Sequence, residues 1–177
     1  MNSHNTNKDG FTIIEVVLVL AIAGLIFLMV FIALPALQRS QRDGAKRSEV
    51  GTVLSSIHSY MSNNRNNIPP NGAAIASYMT GENDATLDSG MKIIIVTSSS
   101  GGSDSRTISA ALDQAAPSGT DASDNLYMEQ IKVYFGYQCD VSGGVSHTLK
   151  KGTSKQAAVL TALESGPATG SVYCQSS

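Results

Sequence analysis

Few side chains in this sequence have the type and setting for chemistry. Glu15 is a carboxylate directly ahead of an uncharged block, Cys139 and Cys174 are the two thiols, and His4, His58 and His147 are the three imidazoles. The histidines are scattered and form no H-E-x-x-H or other paired spacing, so they offer no zinc-binding face. No G-x-S-x-G elbow, P-loop or glycine fingerprint occurs, which leaves no motif for acyl transfer or nucleotide binding. The cysteines are too few for a disulfide scaffold and wrongly spaced for a metal site, leaving either one disulfide or two unpaired thiols. Asp104, Asp113, Asp121 and Asp124 lie in polar low-complexity sequence without the D-x-[DN]-x-[DN]-G spacing of a calcium loop, and are expected to be solvated turn residues. The expectation is a protein that is not an enzyme, with no catalytic residue, metal or cofactor.

The elements that must carry Glu15 are easier to read. Residues 16–37 are uncharged and mostly apolar. About 22 residues at roughly 1.5 Å each span about 33 Å, the thickness of a bilayer core. A transmembrane helix is the first reading. A buried helix of a soluble protein is the alternative, but the polar remainder is short for surrounding it. A cleaved secretory signal is another, with Lys8 ahead, an apolar stretch over 11–20 and Ala21-Ile22-Ala23 as the cleavage site. That cut would leave Leu25-Ile26-Phe27-Leu28 near a new terminus. Arg39, Arg42, Lys46 and Arg47 follow the run and only Lys8 precedes it, so the positive-inside rule alone would hold the C-terminal part in the cytoplasm. A carboxylate beside a membrane segment is costly enough to be a functional candidate, unless it merely reaches the interface.

Gly10-Phe11-Thr12-Ile13-Ile14-Glu15, with the apolar run behind it, resembles the processing site of type IV pilins and related pseudopilins. The resemblance covers about the first third of the chain. It implies that residues 1–10 are a leader, that a membrane peptidase cuts between Gly10 and Phe11, and that the new Phe11 amine is N-methylated. It also implies an extracellular head, against the charge rule. In this reading Glu15, negative at neutral pH, pairs with the Phe11 amine of an adjacent subunit and sets assembly register; both groups are charged because their reference pKa values are about 4.3 and about 8. The implied partners are further copies of the chain in a helical homopolymer, minor pilins, the prepilin peptidase and methylase, the inner-membrane pilus assembly machinery, and the lipid bilayer before assembly.

Gly24 and Pro35 interrupt the helical pattern. Proline cannot donate to the Phe31 carbonyl, so a kink or local opening is expected near residues 31–35, and the resemblance implies unwinding there in a filament. Ordinary tolerance of both residues in a membrane helix is equally consistent. Beyond Pro35, Val50, Val53, Leu54, Ile57, Tyr60 and Met61 recur at three- and four-residue steps. A single helix over about 11–62 is predicted, its second half (38–65) packing on a head formed by residues 66–177. The run Asn63-Asn64-Arg65-Asn66-Asn67 and Pro69-Pro70-Asn71-Gly72 ends it.

In the head, strands are expected at 91–97, at 126–141, at about 155–164 and at 170–175. Over 126–141, Tyr127, Ile131, Val133, Phe135, Tyr137, Cys139 and Val141 are expected on one face and Gln130, Lys132, Gln138 and Asp140 on the other. Ser165 to Thr169 would form a hairpin. Residues 98–124 and Lys150-Lys151 with Lys155 are expected to be exposed loops. Joined, Cys139 and Cys174 would close a loop of about 35 residues worth roughly 3 to 4 kcal/mol and require an oxidising compartment; pilins often staple this region so.

The expected class is α+β: a long N-terminal helix, transmembrane and then amphipathic, packed on a small antiparallel sheet in a pilin fold. A net charge of −2 with 15% charged residues gives no footprint for nucleic acid. The expected function is a structural subunit of a type IV pilus serving adhesion, twitching motility or surface contact. It would be a single-pass protein of the cytoplasmic membrane before assembly and extracellular afterwards. The alternatives are a pilin-like component of a DNA-uptake or type II secretion apparatus and, from another class, a membrane-anchored binding ectodomain that keeps its leader.

Overall fold

A computed structural model describes residues 10–81, 84–87, 89–96, 105–110, 125–140, 146–165 and 171–177. Most of the leader, the acidic residues Asp104, Asp113, Asp121 and Asp124, Val141 and the hairpin tip after Ser165 lie outside them. Contacts divide the chain into two units, Met1–Gln38 and Arg39–Ser177.

Helix α1 (Ile13–Asn63) contributes to both units and is assigned as one α-helix through Gly24 and Pro35. In the first unit its apolar side chains from Ile13 to Leu37 are almost all exposed. It is the one described helix long and apolar enough to cross a membrane. In the second unit the helix changes character: Val50, Val53, Leu54, Ile57 and Met61 are buried at i, i+3, i+4, i+7 and i+11. This stripe gives one apolar face to the head, as the spacing predicts. The helix ends where the asparagines begin, with Arg65 and Asn66 both at positive φ. A turn later Asn71 caps a short helix α2 (Gly72–Ala76), its side chain accepting from the Ala74 amide.

The head contains eight strands among the described residues: β1 (Lys92–Val96), β2 (Ser105–Ala110), β3 (Asn125–Leu126), β4 (Gln130–Phe135), β5 (Tyr137–Cys139), β6 (Ser146–Lys151), β7 (Ala157–Leu163) and β8 (Ser171–Ser176). They form two four-stranded sheets, ordered β1-β4-β7-β8 and β3-β2-β6-β5. Each is mixed rather than purely antiparallel, since β1 runs parallel to β4 and β2 parallel to β3.

Two apolar cores explain the layering. The first joins the buried stripe of α1 and α2 to Ile93, Ile131, Val133, Ala157 and Val159. The second lies between the sheets and gathers Ile94, Val96, Ile108, Leu126, Tyr134, Tyr137, Leu149, Ala158, Leu160, Ala162 and Val172. The sheet β1-β4-β7-β8 is therefore covered on both faces over β1, β4 and β7, and β1 and β7 read as the near-continuous apolar runs KIIIV and AAVLTAL.

This layering corrects the expected strand over 126–141. The chain breaks at Gly136, which has φ of 81°, and passes from β4 in one sheet to β5 in the other. Ile131, Val133 and Phe135 meet the helix, whereas Tyr137 and Cys139 turn into the core between the sheets. Gln130 and Lys132, expected on a polar face, are buried because the second sheet covers that face. Lys132 donates from Nζ to the Asn125 carbonyl at 2.7 Å. The expected loops over 98–124 and at Lys150-Lys151 are corrected in part: β2 and β6 occupy those stretches and pair antiparallel, placing His147 on a strand.

Candidate processing and assembly site

The residues around the expected cleavage point adopt a specific local structure. Thr12 stands immediately before the first helical residue, Ile13, and Glu15 is three positions further on. The Glu15 amide donates to Thr12 Oγ1 at 3.4 Å, and Glu15 Oε2 accepts from the Thr12 amide at 3.2 Å and from Thr12 Oγ1 at 3.0 Å. The Thr12 carbonyl also accepts from the amides of Glu15 and Val16. This is a reciprocal capping box: side chains at the cap and the third helical position satisfy backbone donors that a helix start otherwise leaves open. The sequence signal T-x-x-E was available, and Thr12 is the residue that the reading of Glu15 alone passes over. A carboxylate also suits this end of the helix, whose partial charge is positive.

Gly10 and Phe11 lie ahead of the cap, outside the helix and exposed. A side chain at Gly10 would meet nothing within 4 Å, and its φ is not left-handed. Packing among the described residues therefore places no demand for glycine at position 10. Gly24 is equally open, and nothing in the structure explains a glycine there.

At the start of the head a polar clamp ties α1 to the end of β7. Arg42 donates from Nε to Glu164 Oε1 at 2.9 Å and from Nη2 to Oε2 at 2.6 Å. Asp43 is buried and accepts the Glu164 and Ser165 amides, one on each oxygen, at 2.8 Å each. Lys46 donates from Nζ to the Ala162 carbonyl at 3.2 Å and to Met128 Sδ at 3.6 Å. Arg47 stacks 5.4 Å above the Tyr173 ring. Three of the cations that weigh on membrane orientation in the sequence are thus engaged within the head.

The electrostatics follow from these contacts. Burial pushes the Asp43 carboxyl up, but the hydrogen bonds from Ser165 and Glu164 and the charge of Lys46 outweigh it and hold the group below the usual range. Burial lowers Lys46 against the pull of Glu164, Asp43 and Glu49. The hydrogen bond and charge of Glu164 raise Arg42. No sequence signal pointed to the clamp, because its partners are 82 to 122 residues apart.

Cys139 on β5 and Cys174 on β8 form a disulfide across 35 residues. Among the described residues no group of three or more His, Cys, Asp or Glu side chains could hold a metal ion.

Residues 5–31 match the prokaryotic N-terminal methylation motif. No curated protein and no solved structure matches the chain. The matched segment holds Gly10, Phe11, the Thr12–Glu15 cap and most of the exposed apolar stretch of the helix. The long helix and β-head described above make the fold α+β, and residues 5–31 carry the N-terminal methylation signature found in type IV prepilins and prepilin-like proteins.

Proposed function

We propose that this protein is a structural subunit of a type IV pilus filament, made as a prepilin and assembled through α1. The observation that carries this reading is the methylation motif at 5–31 placed directly on an exposed apolar helix. A side-chain stripe of that length needs a cover, which a bilayer supplies before assembly and neighbouring copies of the same helix supply afterwards. Residues 1–10 are the leader, 11–37 the spanning and assembly segment, 38–65 the docking half of the helix and 66–177 the exported head. The prepilin peptidase reads Gly10 and Phe11. The lack of contact around Gly10 among the described residues supports a reader outside the chain, because a close-fitting protease pocket accounts for a small residue that their packing does not require.

In the filament, Glu15 of one copy meets the Phe11 amine of another, so neither charge remains alone in an apolar core. Pro35, with Gly24, marks where the helix can open as copies pack. The head carries no catalytic role, and its disulfide fits the oxidising side of the membrane. The deciding experiment is intact-mass and N-terminal analysis of protein sheared from the cell surface. The expected terminus is N-methylated Phe11 in filamentous material. An intact leader, or a terminus at Gly24, overturns the proposal. Methylated Phe11 restricted to the envelope assigns the chain to a secretion or DNA-uptake fibre instead.

A further inference from the structure

We infer that Thr12 is a positioning residue for leader removal: its capping box with Glu15 holds the Gly10–Phe11 bond outside the helix. The inference rests on the processing proposed above. Hydrolysis adds water across that bond. The C–N bond breaks, Gly10 keeps the carboxylate, and Phe11 leaves as an amine that takes up the proton. For this a peptidase must reach the Gly10 carbonyl, which therefore cannot serve as a helix acceptor. In the structure the first carbonyl used by α1 belongs to Thr12, and Gly10 and Phe11 are free of the helix.

That boundary is not guaranteed by the rest of the sequence. Asp9 is the next upstream residue of a good capping type, three positions before Thr12. A cap at Asp9 would make Gly10 the first helical residue and give its carbonyl to the amide of Ile14. The scissile bond would then lie inside the first helical turn. The Thr12 hydroxyl, accepting the Glu15 amide while Glu15 accepts the Thr12 amide, favours the downstream start. After cleavage the same pair serves a second purpose. The new Phe11 ammonium sits near the positive end of the helix, where it is disfavoured, and the Glu15 carboxylate offsets it.

The test uses the full-length chain in membranes with its peptidase, following conversion with time and checking the product terminus by mass. Thr12→Val removes the hydroxyl and keeps the branched shape; Thr12→Ser restores the capping group. The expected result is an initial cleavage rate about five-fold lower for Thr12→Val, the population shift that loss of a typical cap produces, and near wild type for Thr12→Ser. Hydrogen exchange on the same chains should show the Ile13 and Ile14 amides more protected in Thr12→Val, as the Asp9 and Gly10 carbonyls become helix acceptors. Retention of the Cys139–Cys174 disulfide on a non-reducing gel verifies that the head has folded. Cleavage of Thr12→Val at the wild-type rate, or failure of Thr12→Ser to restore it, overturns the inference alone. A wild-type chain left uncut at Gly10–Phe11 overturns the processing proposal and this inference with it.

Discussion

Cys139 and Cys174 bond one sheet of the head to the other, β5 to β8, with their Cα atoms 6.0 Å apart. Both side chains are packed against the core between the sheets. The bridge therefore staples the interface between the two sheets. Replacing both cysteines by serine is expected to lower the unfolding free energy of the head by about 3 to 4 kcal/mol on the chain-entropy account of a loop this long. Denaturant unfolding of the oxidised, reduced and doubly substituted proteins measures it. Oxidised and reduced wild type unfolding at the same midpoint would contradict the expectation.

Asp43 gives the head a defined acid response. The Ser165 and Glu164 hydrogen bonds and the charge of Lys46 hold its folded carboxyl below the usual carboxylate range, so it binds protons less readily than in the unfolded chain. A group depressed in this way stabilises the fold above its unfolded pKa, and that contribution is lost as pH falls from about 4 through the folded value. Asp43→Asn is expected to cost about 1 to 3 kcal/mol at neutral pH, because an amide offers one acceptor where two backbone amides now bind. The variant should also lose less stability than wild type between about pH 5 and about pH 2, the span that brackets an ordinary carboxylate's titration near 4. Equal acid slopes in chemical denaturation would remove Asp43 from this role.

How far the sequence foretold this depends on how many faces each element buries. The docking stripe from Val50 to Met61 was legible because one side of a helix leaves a 3.6-residue period. Strands β1 and β7 were legible because their apolar runs are dense, and β8 because Val172 and Cys174 share parity beyond a Gly-Pro turn signal in the sequence. Strands β2 and β6 were not: SRTISA and SHTLKK each place one large apolar side chain, Ile108 and Leu149, in the core. Helix α2 is five residues long, too short for a period. At the N-terminus, Gly10, Phe11 and Glu15 could be named from type and order, while the role of Thr12 required the hydrogen bonds. The clamp of Arg42, Asp43 and Lys46 exists only through tertiary pairing.

Gly72 supplies a further check on the fold. A Cβ there would collide with the Ile93 carbonyl oxygen, a backbone atom of β1 that cannot swing aside. Gly72→Ala is expected to cost about 1 to 3 kcal/mol, the usual penalty of overpacking. In an exposed helix the same change would be mildly favourable. A variant as stable as wild type in thermal unfolding would mean that α2 does not approach β1 this closely.

The two parts of α1 should respond oppositely to the same kind of truncation. Ile57 is 1% exposed and packs in the helix–sheet core. Its replacement by alanine should cost about 2 to 5 kcal/mol of head stability. Leu25 is 65% exposed and touches none of that core. Leu25→Ala should leave the unfolding midpoint of the head unchanged and weaken extraction-resistant membrane retention or filament yield instead. A shift of the head's midpoint by Leu25→Ala would mean that residues 11–37 are part of its folding unit.

Glu15 carries two duties that substitution can separate. As the third helical residue it accepts the Thr12 amide, a task that glutamine can perform; as a charge it is proposed to meet a neighbour's Phe11 amine, which glutamine cannot neutralise. Alanine removes both. Filament yield should therefore fall strongly in Glu15→Gln and in Glu15→Ala alike, whereas the N-terminal turn of α1 should loosen in Glu15→Ala and hold in Glu15→Gln. Quantifying sheared filaments beside amide exchange over residues 12–16 tests both halves. Filaments of wild-type abundance from Glu15→Gln would show that capping alone accounts for the carboxylate, and the charge pairing between copies would have to be abandoned.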